Sequence, residues 1–274
     1  MPRNAYRSLR LVLVANGTVD VLIGAMLLVY PQVVPLLAPQ LSINYIAERV
    51  TAAALLSTGG ANFYAWRYTE RDQFVELLAV NLVWSLGVVL GFIVTAVQRP
   101  ELVSLFPVLF IGSFAVDACT YTSFLSSFPS QGISSEEPVP SGPHQTLRIA
   151  MLAHAIIDLL VAGLFLGYPE IIELAAPQLS INYFAERSAA AALFAIGVAS
   201  LYAWRFTAQR QFTELLVRKV IWSSSVVLGF LATIVQRPDL LSLLPLLFMA
   251  FFVVGSGTWS GFLLAYCRVP VKHL

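Results

Sequence analysis

Charge is what this sequence has least of. Of 274 residues, sixteen are Lys or Arg and fifteen are Asp or Glu, together 11% of the chain, where a water-soluble domain carries about 25%. That excludes an ordinary soluble globular enzyme. The net charge of +1 leaves no basic face, which excludes a nucleic-acid partner. Cysteine is almost missing: Cys119 and Cys267 both lie in apolar runs and give no metal, redox or disulfide spacing. Histidine occurs three times, as His144, His154 and His273, and only His154 falls inside an apolar run. A haem or di-iron site built on histidines is therefore not expected. The G-x-S-x-G, H-E-x-x-H, P-loop and G-x-G-x-x-G signatures are absent too. The expected cofactor and metal complement is none.

What is present is apolar. Hydrophobic residues make up 58% of the chain, and the mean hydropathy is +0.78. The first residues, basic and then apolar, have the outline of a signal peptide. Asn16 and Asp20 interrupt the apolar run, no cleavage site is evident, and the pattern recurs later, so it reads as a retained first helix.

The recurrence is a repeat. PQLSINYIAER starts at Pro39 and PQLSINYFAER at Pro177, and the offset of 138 then holds without a gap, with 49 of the 90 positions from 39 to 128 identical to their partners. Polar residues such as Asn44, Glu48 and Arg67 match as well, so this is not a coincidence of Leu-rich composition. The chain reads as a tandem duplication: a first unit at 1–128, a flexible Ser/Pro/Gly-rich linker at 129–146 and a second unit at 147–274. Each unit holds four apolar stretches, 9–30, 44–67, 73–98 and 101–127, then 147–168, 182–205, 212–236 and 239–266. About 20 residues of helix cross a hydrocarbon core, and helix is the form that satisfies its own backbone in lipid. The expected fold is all-α: eight transmembrane helices in two parallel four-helix units related by a pseudo-twofold along the membrane normal.

Basic residues set the orientation. Arg3, Arg7, Arg10, Arg67, Arg71, Arg148, Arg205, Arg210, Arg268 and Lys272 collect on one side, and Arg99 and Arg237 on the other. The positive-inside rule places both termini and the linker in the cytosol, in the endoplasmic reticulum membrane if the cell is eukaryotic. The loops after the first and fifth helices are apolar and bounded by proline, and read as short interfacial caps. Gly87-x-x-x-Gly91, matched by Ser225-x-x-x-Gly229, marks close helix packing. Trp66, Trp204, Tyr64 and Tyr202 read as interfacial belt residues.

Ionisable side chains at bilayer depth cost a few kcal/mol and mark functional sites by default. Asp20 lies midway along the first helix with Asn16 on the same face; His154 and Asp158 hold the matching positions of the second unit. Glu48 with Arg49, and Glu186 with Arg187, open the second and sixth helices and read either as self-neutralising pairs or as site groups. Asp117 lies near the middle of the fourth helix, opposite Gly255 in the second unit; Arg218 and Lys219 replace Val80 and Asn81. Glu76 and Glu214 sit near cytosolic helix ends and read as solvated. Buried polar positions should be the last to drift in a symmetric scaffold, so these differences point to a site in which one half is specialised.

Two carboxyls in unlike surroundings are the requirement for acid–base catalysis. Asp20 or Asp117 is the candidate acid, and Asp158, on the same face as His154, either orients His154 or acts as the base. Arg49 and Arg187 would keep a carboxylate ionised. Tyr45 and Tyr183 would position a water or oxygen, and Trp84 and Trp222 would line the substrate. Such a set suits an apolar small molecule with an epoxide, alkene or carbonyl.

Intramembrane Asp20, Asp158, Glu48-Arg49 and Glu186-Arg187 on a small helical chain resemble, in type, the membrane-bound cyclases and epoxide-opening hydrolases of fungal polyketide and terpenoid pathways. The resemblance implies epoxide hydrolysis or cyclisation in a biosynthetic pathway. The four-helix unit is also similar to small DoxX-like membrane bundles. The competing expectations are a proton-coupled carrier with midplane carboxylates and a non-catalytic membrane scaffold.

Overall fold

A computed structural model describes residues 3–69, 74–128, 143–205 and 212–268. Residues 129–142 of the linker, Arg71, Arg210, Lys272 and His273 lie outside the described residues. Every regular element among the described residues is helical. The helices are α1 (Arg3–Val29), α2 (Val33–Leu37), α3 (Tyr45–Tyr68), α4 (Phe74–Gln98), α5 (Leu105–Ser126), α6 (Pro143–Gly167), α7 (Ile171–Ala175), α8 (Tyr183–Arg205), α9 (Phe212–Gln236) and α10 (Leu243–Arg268). Seven of them, α1, α4, α5, α6, α8, α9 and α10, are long and apolar enough to cross a membrane. The protein is therefore a multi-pass, all-helical membrane protein. The loops expected to form interfacial caps hold the short helices α2 and α7.

Among the long helices α3 alone is missing from that set. Its 24 residues include Glu48, Arg49, Asn62 and Arg67. It packs against α1, α8 and α9, and most of its residues are buried. A helix walled by protein has no lipid face that must be apolar. Asn44 caps its start, accepting hydrogen bonds from the backbone N–H of Ile46 (3.2 Å) and Ala47 (3.1 Å); Asn182 does the same for α8 through Ala185 (3.3 Å). Asn at this position meets the orphan donors of a first helical turn.

The two sequence repeats interlock. α1 packs on α3 and α6 on α8, as repeat-internal pairs. But α3 makes its most extensive further contact with α9 of the other repeat, and α8 does so with α4. The result is two equivalent bodies, α1–α3–α9–α10 and α6–α8–α4–α5, that meet chiefly where α3 crosses α8. Small residues permit the closest approaches. A Cβ on Gly59 would lie 2.8 Å from the Gly17 carbonyl oxygen between α3 and α1, and one on Gly91 would lie 3.0 Å from the Arg187 Cβ between α4 and α8. Gly91 belongs to the small-residue spacing expected to pack helices, and it does so across the repeats.

Candidate functional site

At the α2/α7 end the starts of α3 and α8 are held together by reciprocal bonds. Asn44 Nδ2 donates to Glu186 Oε1 (2.9 Å), and Asn182 Nδ2 donates to Glu48 Oε1 (3.1 Å). Ser42 and Ser180 hydroxyls each donate to a carbonyl of the other repeat, at Ile181 and Ile43. Neither Glu forms a close ion pair with the Arg that follows it. Neighbours along a helix point about 100° apart and do not face each other, so Glu48-Arg49 and Glu186-Arg187 interact electrostatically but without a direct hydrogen bond among the described residues. Arg49 instead crosses to α9, donating to Thr233 Oγ1 (2.6 Å) and Gln236 Oε1 (2.5 Å), and also to the Leu28 carbonyl (3.0 Å). Arg187 makes the matching set with Thr95 (2.6 Å), Gln98 and the Leu166 carbonyl (3.4 Å). Tyr45 and Tyr183 lie in the same layer, under Arg237 and Arg99. The Tyr183 hydroxyl accepts from Arg99 (2.9 Å) and donates to Glu170 (3.1 Å). Outside the bilayer, Arg237 clasps Asp239 through two bonds of 2.9 and 2.6 Å and holds that carboxyl below its ordinary value.

Midway along the helices, two clusters occupy equivalent places and differ in content. In the first, Asn16 Nδ2 donates to Asp117 Oδ1 (2.7 Å) and to the Tyr121 hydroxyl (3.1 Å). Asn81 donates to Asn62 Oδ1 (2.9 Å), and Arg218 from α9 donates to Asn81 Oδ1 (2.6 Å). Asp20 lies within electrostatic reach of both Asp117 and Arg218. The structure therefore unites Asn16, Asp20 and Asp117. In the second cluster Asp158 faces the Lys219 ammonium at 3.9 Å. Lys219 lies 4.5 Å above the Trp259 ring, and His154 stacks edge-on against the same ring at 4.6 Å and beside Phe251. His154 sits in an aromatic slot, where among the described residues no hydrogen bond joins it to Asp158. The counter-charges for both aspartates come from α9, whose adjacent Arg218 and Lys219 point to opposite clusters. Trp84 and Trp222 are core residues, edge-on to Phe114 and Phe252.

At the end where α1 and α6 begin, a cavity of about 300 Å³ opens between α3, α4, α8 and α9. Ligand pockets begin at about this size. Its walls carry Tyr64 and Tyr202, Glu76 and Glu214, and its floor Val80 and Arg218, each pair being one position in the two repeats. Glu76 and Glu214 are half-buried on this cavity rather than solvated. Glu214 accepts from Thr69 Oγ1 (2.9 Å) and lies beside the Arg218 guanidinium. At the same position relative to Glu76 stands the hydrocarbon of Val80. The sequence reading missed this pair, although a carboxyl repeated at one offset beside a repeated tyrosine was a signal for it. Asp20, Asp117 and Asn16 stand behind Arg218, away from the lining; Asp158 and His154 are in the other cluster. Among the described residues no group of three His, Cys, Asp or Glu side chains is placed to hold a metal.

No family model matches this chain, nor does any curated protein or solved structure.

Proposed function

We propose that this protein is an eight-span membrane enzyme that works on a small, mostly apolar molecule by carboxyl acid–base chemistry, with the repeats related by an axis along the membrane normal after a duplication. The eighth span is α3, which is as long as its neighbours and runs antiparallel to α9: Arg49 reaches the end of α9 and Thr69 its start. By the positive-inside rule both termini, the linker and the cavity mouth face the cytosol, in the endoplasmic reticulum membrane if the cell is eukaryotic.

One observation carries the enzyme reading. The cavity holds a carboxyl from each repeat, and four residues after each the repeats differ, with Arg218 beside Glu214 where Val80 follows Glu76. That is the asymmetry acid–base work requires. For an epoxide, Glu76 would give its proton to the ring oxygen as the carbon–oxygen bond breaks. Glu214 would take a proton from water or from a substrate hydroxyl as that oxygen bonds to the carbon. The product is a diol or a cyclic ether, and proton exchange with solvent resets both carboxyls. Asp20 and Asn81 act as positioning residues for Arg218.

The test is turnover of a panel of lipophilic epoxides by proteoliposomes in ¹⁸O-water, followed by mass spectrometry. The expected product is a diol with one heavy oxygen, and Glu76→Gln and Glu214→Gln each lower the rate at least about 100-fold. Wild-type rates in both variants would remove the reading. A carrier is the second reading, favoured by the contrast between an open cavity at one end and the reciprocal Asn–Glu bonds that close the other. Uptake of intact compounds into vesicles, with no conversion, would select it.

A further inference from the structure

Acid–base chemistry in the Glu76–Glu214 cavity uses the charge of Arg218 and leaves most of its hydrogen-bonding capacity idle. The side chain lies on the cavity floor, in a residue that is 4% exposed. A guanidinium carries five N–H donors and no acceptor. One nitrogen of Arg218 donates to Asn81 Oδ1 (2.6 Å), and Asn81 in turn donates to Asn62 Oδ1 (2.9 Å), which fixes the fork in place. Among the described residues no other hydrogen bond reaches the guanidinium; Glu214 and Asp20 act on it through their charge. A buried donor without a partner is costly, and a molecule in the cavity is placed to supply an acceptor.

The repeat shows which end of that molecule meets Arg218. The α9 side of the cavity carries Glu214 and Arg218, whereas the α4 side presents the hydrocarbon of Ala79, Val80 and Val83. Val80 is the repeat mate of Arg218. A cavity with two like sides would accept a ligand in two orientations; this one sets a polar end toward α9 and an apolar end toward α4.

The charges around the fork select the polar group. Glu214 and Asp20 act on this one guanidinium, and Glu76 stands within reach of Glu214. No positive charge is left over to balance an anion, so a carboxylate or phosphate would be buried at a heavy desolvation cost. A hydroxyl brings a proton of its own, which a donor-only group cannot take. A carbonyl oxygen has two lone pairs and no proton, and matches two N–H groups of one planar fork.

We propose that the molecule bound in this cavity carries a neutral carbonyl, as a ketone, ester or lactone, that docks on Arg218 with its hydrocarbon against the α4 side. That this molecule is a substrate rests on the enzyme reading; the docking itself is a binding event. The carbonyl is the handle and the epoxide the reacting group, so Arg218 acts as a positioning residue for the bond between the two carboxyls.

Isotope-edited infrared spectroscopy of undecan-2-one, ¹³C-labelled at its carbonyl, with the full chain in nanodiscs tests this. Ketone dissolved in lipid gives one carbonyl band. Docked ketone should add a saturable second band at lower frequency, because accepted N–H bonds weaken the C=O bond. Undecan-2-ol, undecanoate and undecane should each displace it at least about tenfold less well than unlabelled ketone, the scale of one hydrogen bond to a charged group. Arg218→Lys keeps the charge without the fork and should weaken binding about tenfold. Val80→Phe fills the opposite side without touching the guanidinium, and should abolish the second band with helicity unchanged. A second band without turnover of any epoxide would leave the carbonyl site standing and remove the enzyme reading. Epoxide turnover without a second band, or equal displacement by ketone, alcohol and hydrocarbon, would overturn the proposal.

Discussion

The two midplane clusters occupy matching positions of the sequence repeat and differ in what surrounds a shared aspartate. Around Asp20 the neighbours are Asn16, Asp117, Tyr121 and Arg218, and the cluster backs onto the cavity floor. Around Asp158 they are Lys219, Trp259, His154 and Phe251, with aromatic rings closing the space. The chemical difference is between a hydrogen-bonded network that reaches a cavity and a compact ion pair under an indole. One α9 helix serves both, because successive residues of a helix point to different sides. The difference teaches that the two clusters are told apart by the residues of α9, α5 and α10 and by Asn16 against His154, while α1 and α6 each carry an aspartate.

The sharpest way to break the comparison is to make the halves alike. Arg218→Val copies the first repeat and leaves Asp20 without its cation. Losing one partner of a buried charge pair costs roughly 3–5 kcal/mol, so this variant should unfold at markedly lower temperature in detergent. It also removes the cation from beside Glu214, and epoxide turnover should fall at least about 100-fold. Restoring a cation with Arg218→Lys should recover stability in part, because Lys lacks the planar fork that reaches Asn81 and the neighbouring acids together. Wild-type turnover by the valine variant would show that the asymmetry is unrelated to activity.

A second comparison separates the two aspartates. Asp20→Asn loosens Arg218 and should cost about tenfold in turnover, the scale of one positioning hydrogen bond. Asp158→Asn touches nothing that lines the cavity. Its turnover should stay within about twofold of wild type, while its melting temperature falls because Lys219 is left buried with only the Trp259 face beneath it. Measuring rate and melting temperature for both variants gives a two-by-two outcome. Equal loss of turnover in the two would mean that the second cluster also takes part in chemistry.

The helices and the internal repeat were legible in the sequence because both are written locally, in apolar runs and in a constant offset. The partners of the charges were not. Asp20 and Asp158 have no basic neighbour along the chain, and their cations arrive from α9 through packing across the repeats. Arg49 and Arg187 are adjacent to Glu in sequence but bond to Thr and Gln of a helix from the other repeat. Glu76 and Glu214 were misread as solvated for a related reason. Glu76 and Glu214 lie in the first turns of α4 and α9, where a carboxyl looks solvated, and only the meeting of four helix ends encloses them. His154 and Asp158 share a helical face, yet face sharing did not decide their contacts; the bulk of Trp259 and Phe251 did.

Where the repeats have not diverged, equal substitutions should have equal effects. Arg49→Ala and Arg187→Ala each remove a guanidinium that bonds a Thr hydroxyl, a Gln oxygen and a helix-end carbonyl. Each leaves those acceptors unmet and opens the α3–α9 or α8–α4 seam, at a cost of roughly 1–3 kcal/mol per orphaned group. The melting temperatures of the two variants should fall together to within experimental scatter. A large fall in one alone would show that the two bodies carry unequal shares of stability.

The smallest expected effect lies at the exposed loops. Arg237 forks onto Asp239, whereas its repeat mate Arg99 donates to the Tyr183 hydroxyl. The clasp favours the charged carboxyl, so the folded Asp239 titrates below its ordinary value. A depressed folded pKa means that any stability from the pair is present above the unfolded carboxyl pKa, near 3.9, and is lost as the pH falls through the lower folded value. Because the pair is in water, added salt should erase much of the effect. A ¹³C chemical-shift titration of the Asp239 carboxyl in nanodiscs, run with and without Arg237→Gln, reads this directly. The midpoint should lie below the free carboxyl value in the wild type and move up in the variant. An unchanged midpoint would mean that Arg237 serves Tyr45, whose ring lies 5.3 Å from its guanidinium, and leaves Asp239 to solvent.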